Sequence, residues 1–309
     1  MARWSVADIP RQTGRLVVVT GPTGLGYEVG LALARAGAEV ILAGRNATTA
    51  KGAIDRISAS VRGAKVRFES LDLVSLASVH SFGKRMIEAG RPVDLLINNA
   101  GVRMPPRRQL TADGFELQFG TNHLGHFVLT AELLPLLRQA GAPRVVSVSS
   151  IAARGGQIHF DDLQFERGYR PSPAYAQSKL ANLLFAFELQ RQSNAQGWGI
   201  ASIAAHPGVA ATDLINKGPG ASSAMALATR LLPFVRQSAA QGALPILYAA
   251  TSPDAAPGGY YGPDGLQEMR GYPRPAMIVP QAADEAVAKR LWSISEQLGG
   301  VQFKRPALA

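Results

Sequence analysis

The stretch Thr20-Gly21-Pro22-Thr23-Gly24-Leu25-Gly26 directly follows the apolar run Leu16–Thr20 and opens a segment of helical period. Its glycines allow the backbone to turn tightly, and the N-terminus of the following helix offers unpaired N–H groups and a partial positive charge to an anion. A glycine turn also occurs as an ordinary connection between a strand and a helix. Its position inside a strand–helix–strand unit favours a phosphate-binding turn.

Short apolar runs alternate with longer segments of helical period along most of the chain, which is typical of a parallel sheet covered on both faces. The predicted strands are Leu16–Thr20, Val40–Ala43, Val66–Ser70, Leu95–Asn98, Val145–Ser149 and Ile200–Ala205, and the predicted helices span 25–36, 47–61, 75–89, 112–139, 173–194 and 283–298. Because crossovers between parallel strands are right-handed, we expect a doubly wound α/β sheet of about seven strands with helices on both faces. We find no internal repeat and no domain boundary, so we expect one Rossmann-type domain over residues 1–309.

Three segments depart from this alternation. Pro135 interrupts the fourth helix, so we expect a kink or a break near Leu134. Residues 210–236 fit either a lid over an apolar substrate or an ordinary buried helix pair, because they carry the apolar side chains Leu214, Ile215, Met225, Leu227, Leu231, Leu232 and Phe234. Residues 253–309 are expected to form a C-terminal extension, in which Pro253–Pro280, with Tyr260-Tyr261-Gly262-Pro263, is an irregular connection.

The composition excludes several classes of protein. The 309 residues include 32 Lys+Arg, 22 Asp+Glu and no cysteine, which gives a net charge of +10. Disulfide frameworks, thiolate nucleophiles and cysteine-based metal centres are therefore excluded. The densest basic cluster, Arg103 with Arg107 and Arg108, lacks interleaved aromatic residues, so we interpret it as a solvated loop and expect no nucleic-acid partner.

The sequence carries no signal for membrane insertion or secretion. No stretch reaches the roughly 18 uninterrupted apolar residues that a spanning helix requires, and the first residues lack the apolar core of a signal peptide. We therefore expect no membrane span and a cytoplasmic location.

Two polar positions at strand ends point to the type of nucleotide. A site selective for NAD usually has a carboxylate at the end of the second strand, where it holds the ribose 2′-hydroxyl. This chain has Arg45 there, and a guanidinium can bind a 2′-phosphate. NADP(H) is therefore favoured, with NAD(H) as the second candidate. Asp72-Leu73 follows the third strand, where the carboxylate could meet the adenine amine or cap a helix.

Tyr175 and Lys179 are four residues apart in a predicted helix, so their side chains share one face. A phenol is a weak acid and a worse base at neutral pH, but an ammonium nearby stabilises the phenolate and lowers the pKa of the phenol. We therefore expect Lys179 to make the Tyr175 hydroxyl more acidic. Taken alone, the spacing more often belongs to a purely structural helix, and it gains weight here from the residues that precede it.

Further polar residues converge on the carboxyl edge of the sheet, where open α/β sheets place their ligands. Ser149 and Ser150 end the fifth predicted strand, and either hydroxyl could bond a substrate carbonyl or cap a helix. Asn98-Asn99-Ala100-Gly101 ends the fourth strand, and Asn122 lies inside the next helix, where asparagine is a mediocre former. Packing alone does not explain this convergence.

In order and spacing these residues resemble the short-chain dehydrogenase/reductase family, and within it the retinol-dehydrogenase-like and protochlorophyllide-reductase-like group. The resemblance runs from Gly14 to about Val301. The matching motifs are the glycine turn, Asp72-Leu73, Asn98-Asn99-Ala100-Gly101, Asn122 in Thr121-Asn122-His123-Leu124-Gly125-His126-Phe127, Ser150, Tyr175-Ala176-Gln177-Ser178-Lys179 and His206-Pro207-Gly208.

The resemblance implies a role for each matching residue. Tyr175 would be the general acid for carbonyl reduction, Ser150 would polarise the carbonyl, with Ser149 as a fallback, Lys179 would hold the nicotinamide ribose, and Asn122 would anchor a water in a proton relay. The implied cofactor-binding residues are Gly21, Thr23, Gly24, Leu25, Gly26, Asp72, Leu73, Asn98, Ala100, Gly101, Tyr175, Lys179, Pro207, Gly208, Val209 and Thr212. The substrate would be a small-molecule carbonyl or alcohol compound, and the protein a homodimer or homotetramer.

Two features depart from the family pattern. The family usually has three residues between the first two glycines of the turn, whereas only Pro22 and Thr23 stand between Gly21 and Gly24. We expect dinucleotide binding to survive this deletion. The interval between Ser150 and Tyr175 carries an insert, Gly155 to Pro173, which points to the retinol-dehydrogenase-like group.

Alternative functions remain at this point. An NADP-binding sensor or scaffold without turnover would keep the fold, and an epimerase or dehydratase of the same superfamily would share the Tyr/Lys pair. The histidines predict no metal site, because His123 and His126 have no carboxylate near them in sequence and fit a packed or capping role better. The role implied for His206 is structural.

Overall fold

The computed structural model describes residues 3–210 and 237–303. Eight strands form one sheet: β1 Leu16–Thr20, β2 Glu39–Gly44, β3 Lys65–Ser70, β4 Leu95–Asn98, β5 Arg144–Val148, β6 Ala201–Ala205, β7 Tyr260–Pro263 and β8 Pro273–Pro275. Their order is β3-β2-β1-β4-β5-β6-β7-β8, with β1 to β7 parallel and β8 antiparallel to β7. The predicted doubly wound sheet is therefore confirmed, with one short antiparallel strand added at its edge.

The helices lie between the strands. They are α1 Leu25–Arg35, α2 Ala47–Ser60, α3 Leu76–Ala89, α4 Leu117–Phe119, α5 Gly125–Leu137 and α6 Pro171–Gln196, followed beyond β6 by Ala239–Thr251, Pro280–Ala283 and Glu285–Gly299. Within the described parts of the chain, none of these helices combines the length and the apolar character needed to cross a membrane.

Strand β1 shows why the sheet is buried on both faces. Its five residues are fully buried, and successive side chains point to opposite faces. Val17 and Val19 pack into the core on the side of α1, whereas Leu16 and Val18 pack into the core on the side of α3 and α5. Because the strand order reverses between β1 and β4, a crevice opens at the carboxyl ends of these strands.

Two expectations about proline-rich segments were wrong. Tyr260–Pro263 is the parallel strand β7 rather than an irregular connection, because it pairs with β6 and buries all four residues. Helix α5 continues through Pro135 to Leu137 and does not break near Leu134. Pro135 lies in the last turn of this helix, where the loss of a single N–H donor has little effect on the rest of the helix.

The predicted helix 112–139 is also interrupted at its start. It begins at Leu117, five residues later than expected, and residues Gly120–Leu124 form a π-helical turn before α5. Glu116 caps the N-terminus, because its side chain accepts a hydrogen bond from the N–H of Phe119 at 2.7 Å. This π turn positions Asn122.

Candidate active site

A cavity of about 330 Å³ opens at the carboxyl edge of the sheet, beside the point where the strand order reverses. Five segments line it, namely the glycine turn, the end of β2 with the start of α2, the residues after β3, the residues after β4, and the π turn at Thr121. The lining residues are Gly21, Pro22, Thr23, Gly24, Leu25, Ala43, Gly44, Arg45, Asn46, Thr49, Leu71, Asp72, Leu73, Val74, Asn99, Ala100, Gly101, Val102 and Thr121.

The glycine turn has a shape that side chains would disrupt. Gly21 and Gly24 adopt positive φ angles of +83° and +53°. A Cβ atom on Gly26 would lie 1.8 Å from the carbonyl oxygen of Gly21, so this residue must be glycine for the turn to close on the helix. The resulting cradle of bare backbone at a helix N-terminus fits the pyrophosphate of a dinucleotide, even with two residues between the first glycines.

Arg45 and Asp72 face each other at the mouth of this cavity. The Nε atom of Arg45 lies 4.0 Å from Oδ1 of Asp72, and the Arg45 side chain is 64% exposed. Oδ1 of Asp72 also accepts a hydrogen bond from the N–H of Val74 at 3.0 Å, whereas Ser75 caps helix α3. Asp72 is therefore not the helix cap, and both side chains are available to a nucleotide in the cavity.

The side chains of Asn98, the last residue of β4, and Asn99, the next residue, point in opposite directions, because side chains alternate along an extended backbone. The amide of Asn98 donates to Thr130 Oγ1 at 3.1 Å inside the protein, and Asn98 does not line the cavity. Asn99 lines it, and the amide of Asn99 donates to the carbonyl oxygen of Thr20 at 2.8 Å. Asn99 rather than Asn98 therefore faces the cavity, and a contact between Asn98 and the cofactor stays a prediction.

Ser150 and Tyr175 are brought together beyond the end of β5. The Ser150 side chain lies close enough to Tyr175 to lower the pKa of its phenol, whereas burial, which has the larger effect, raises it. Ser150 Oγ also accepts from the N–H of Ala152 at 3.2 Å, so this residue caps a short helix as well. Ser149 Oγ instead donates to the main-chain carbonyl of Lys179 at 2.7 Å, so its hydroxyl is engaged in holding α6 against β5.

Lys179 lies behind the cavity wall. A Cβ atom on Gly101, which lines the cavity, would lie 3.6 Å from Lys179 Nζ. The ammonium donates to the carbonyl oxygen of Val148 at 3.0 Å, and burial lowers the pKa of Lys179 to about 8. A lysine with this pKa exchanges protons close to neutral pH.

Asn122 connects the loop after β4 to helix α6. Its Nδ2 atom donates to the carbonyl oxygen of Val102 and to Ser178 Oγ, both at 3.0 Å, and its Oδ1 atom accepts from the N–H of Val102 at 2.7 Å. The π turn directs this side chain across the site. Its role in a water relay stays a prediction.

The sequence led us to expect that Lys179 would counteract the effect of burial on Tyr175. Instead, the groups that lower the pKa of Tyr175 are the guanidinium of Arg103 and the hydroxyl of Ser150. The Cζ atom of Arg103 lies 5.7 Å from the centre of the Tyr175 ring. From the sequence we interpreted Arg103 as part of a solvated loop. The one sequence feature that links Arg103 to the site is its position two residues after the Asn98–Gly101 motif.

The segment after β6 is held by the C-terminal part of the chain. Gly208 has a φ of +61°, and a Cβ atom there would lie 2.3 Å from the carbonyl oxygen of Met269. The N–H of Val209 donates to that same oxygen at 2.7 Å, and the amide of Gln237 donates to the carbonyl oxygen of Pro207 at 2.7 Å. These residues lie at the carboxyl edge but do not line the cavity. Thr212 and most of the predicted lid 210–236 lie outside the described residues.

The histidines are engaged in packing. The ring of His123 lies against Phe119, with Nε2 2.8 Å from Ser295 Oγ. His126 Nε2 lies 2.9 Å from Thr20 Oγ1. His206 Nε2 lies 2.9 Å from Oε2 of Glu268, and its Nδ1 accepts from the N–H of Gly208. These contacts fit the packed and structural roles inferred from the sequence.

Comparisons with known proteins agree with this architecture. The family profile described as short chain dehydrogenase matches residues 15–219. The chain is 41% identical over 305 residues to retinol dehydrogenase 13 of Homo sapiens, covering 96% of this chain and 87% of that protein. It is 40% identical over 299 residues to polyprenol dehydrogenase of Mus musculus, covering 94% of this chain and 86% of that protein.

A solved structure from Mycobacterium paratuberculosis is also similar, with a TM-score of 0.81 and 39% identity, covering 98% of this chain and 100% of that one. Sequence and fold therefore agree over almost the entire length. The chain belongs to the short-chain dehydrogenase/reductase family, in its retinol-dehydrogenase-like group.

Proposed function

We propose that this oxidoreductase uses NADP(H) to transfer hydride between the nicotinamide and the carbon of a carbonyl or alcohol group, with Tyr175 moving the proton. The observation that carries the proposal is the placement of Ser150, Tyr175 and Lys179 together at the carboxyl edge of the sheet, with Lys179 Nζ 3.6 Å from where a Cβ atom on the cavity-lining Gly101 would lie. Packing alone does not require two hydroxyls to meet at the ligand-binding edge of a parallel sheet.

The nicotinamide, when bound, supplies or accepts the hydride. The residues of the chain handle the proton and the developing charge. Ser150 donates a hydrogen bond to the substrate oxygen, which orients the carbonyl and favours negative charge on it. Tyr175 Oη gives its proton to that oxygen during reduction and takes it back during oxidation. Lys179, with a pKa lowered to about 8, is suited to resupply a proton from solvent.

The preference for NADP(H) rests on Arg45. Its guanidinium is exposed at the cavity mouth, where a 2′-phosphate would extend from the adenosine ribose. An exposed ion pair at 4.0 Å, such as that with Asp72, is worth at most about 1 kcal/mol, so a phosphate can replace the carboxylate. NAD(H), which lacks that phosphate, is the second candidate.

A hydrophobic substrate is the best-supported class. The names of the human and mouse relatives specify two apolar alcohols, retinol and polyprenol. The segment 210–236, proposed as a lid, contributes apolar residues such as Leu214, Met225 and Phe234. We therefore propose a long apolar alcohol, or the corresponding aldehyde or ketone, as substrate.

The second candidate is an NADP-binding sensor or scaffold with the same fold. A protein that only binds has no need of a phenol placed beside a serine hydroxyl, so Ser150 and Tyr175 argue against it. An epimerase or dehydratase of the superfamily would keep its NAD tightly bound and would not consume free NADPH.

Stopped-flow oxidation of NADPH against apolar aldehydes, ketones and quinones tests the proposal. We expect wild-type turnover, with Tyr175→Phe slower by about 10²- to 10⁴-fold because the general acid is lost. Tyr248→Phe is a matched control, because this ring packs edge-on against Trp4 and does not line the cavity. Tight NADPH binding by an inactive wild type would favour the sensor.

A cytoplasmic location and a homodimeric or homotetrameric state stay predictions. Cell fractionation and size-exclusion chromatography with light scattering would test them.

A further inference from the structure

Arg103 places a positive charge against the proposed acid. It follows the cavity-lining residues Gly101 and Val102, and it is half-buried. Its Cζ atom lies 5.7 Å from the centre of the Tyr175 ring, which is within the range of a cation–π contact of about 6 Å.

The backbone on both sides of Arg103 is held in place. Asn122 forms two hydrogen bonds with the main chain of Val102, and the N–H of Met104 donates to Gln118 Oε1 at 2.6 Å. Met104 adopts a φ of +46°, which a side-chain-bearing residue rarely does unless its surroundings enforce it. The position of Arg103 is therefore fixed by its neighbours in sequence.

The charge of Arg103 is not neutralised by a carboxylate among residues 3–210 and 237–303. Two other half-buried arginines have such a partner: Arg108 lies 3.6 Å from Glu166, and Arg154 lies 2.6 Å from Glu268. Arg144, also half-buried, donates instead to the main-chain carbonyl oxygens of Ala249 and Ser252. Burial raises the pKa of Tyr175, and the charge of Arg103 is the largest influence that opposes it.

The other titratable groups around the start of α6 have different partners. The ammonium of Lys179 donates to Val148, Arg154 pairs with Glu268, and His126 is uncharged because burial lowers its pKa to about 4. The Glu116 carboxyl and the Tyr169 hydroxyl lie at α4, and burial raises the pKa of both groups. Arg170 is exposed.

We propose that Arg103 is a positioning residue for proton transfer, whose guanidinium stabilises the phenolate of Tyr175. The proposal rests on the function proposed above for Tyr175. In reduction, the carbonyl carbon receives the hydride and the carbonyl oxygen receives the proton of Tyr175 Oη. The negative charge is left on the phenolate of Tyr175, beside Arg103. In oxidation, the phenolate takes the proton of the alcohol.

A spectroscopic titration tests the charge effect without turnover. The phenolate absorbance of Tyr175 is isolated by subtracting the spectrum of a Tyr175→Phe partner from that of each protein. We expect Arg103→Met to move the ionisation of Tyr175 to higher pH and Arg103→Lys to keep it near the wild-type value. Arg107→Met is the matched control, because this exposed arginine lies in the same loop. Coincident titrations for wild type and Arg103→Met, or an equal shift in Arg107→Met, would overturn the proposal.

A pH–rate profile gives the second measurement. It tests the proposal even when the protein unfolds at a pH below that at which Tyr175 ionises. For alcohol oxidation, we expect kcat/KM of Arg103→Met to be roughly three- to tenfold lower on the acidic side of the profile and to approach wild type at high pH. A loss by the same factor at every pH contradicts the proposal. Because the titration needs no substrate, a wrong assignment of the reaction would leave that result intact.

Discussion

At the scale of single residues, the proposed preference for NADP(H) rests on Arg45. Its side chain is 64% exposed and its only described ionic partner is Asp72, at 4.0 Å. An exposed pair of this kind contributes little to stability, so the arginine is free to turn toward a phosphate. We therefore propose Arg45 as the residue that distinguishes NADP(H) from NAD(H).

We expect Arg45→Ala to weaken NADPH binding by about ten- to a hundredfold, because it removes charge-assisted hydrogen bonds to the 2′-phosphate. NADH binding, which involves no such phosphate, should change by less than about threefold. Isothermal titration calorimetry with both dinucleotides measures the difference, with Arg62→Ala as an exposed control. Equal weakening for NADPH and NADH would refute the role of Arg45.

At the scale of elements, the π turn Gly120–Leu124 has more influence on the site than the proline further along. Local sequence rules marked Pro135 as the irregular position, yet α5 continues through it. The wider turn instead occurs at Asn122, whose side chain makes three hydrogen bonds to Val102 and Ser178. Those long-range bonds stabilise a backbone form that local propensity does not favour.

Asn122→Ala should lower the free energy of unfolding by about 2 to 4 kcal/mol, because it removes three buried hydrogen bonds worth about 1 kcal/mol each and leaves their partners unpaired. Urea unfolding followed by circular dichroism gives the value. Asn194→Ala, an exposed asparagine near the end of α6, is the control. If the two variants are equally stable, Asn122 does not clamp the loop after β4.

At the scale of the whole molecule, one buried carboxylate joins three distant segments. Oε2 of Glu268 lies 2.9 Å from His206 Nε2 and 2.6 Å from Arg154 Nη2, and Oε1 accepts from the N–H of Met277 at 2.9 Å. Burial would raise the pKa of Glu268, but these hydrogen bonds and charges lower it to about 2. Glu268 thereby ties the C-terminal segment to Arg154, which follows β5, and to His206, which follows β6.

Because the pKa of Glu268 is lower in the folded state, its contribution to stability is complete above the unfolded pKa of about 4.5 and disappears as the pH falls toward about 2. We therefore expect Glu268→Gln to lower the free energy of unfolding by about 2 to 4 kcal/mol at pH 7 and to approach wild type in acid. Urea titrations at several pH values measure this, with the exposed Glu88→Gln as control. If the difference in unfolding free energy between Glu268→Gln and wild type is the same at every pH, the stabilising role of the Glu268 charge is wrong.

Local sequence patterns were sufficient to predict the strands β1 to β6 and to place Ser150, Tyr175 and Lys179 at the carboxyl edge of the sheet. Buried parallel strands read as continuous apolar runs, and residues four apart on a helix must share a face. Strand β7 was missed because its short Tyr260–Pro263 run carries a glycine and a proline, and only pairing with β6 makes it a strand.

The sequence by itself determined the doubly wound sheet, the glycine turn and the residues gathered at its carboxyl edge, because periodicity and spacing are local properties of a chain. Only the tertiary structure decided that Asn99 rather than Asn98 faces the cavity, that the charge of Arg103 reaches Tyr175, and that Lys179 bonds Val148. These depend on the directions of side chains from segments far apart in sequence, which meet only after the protein has folded.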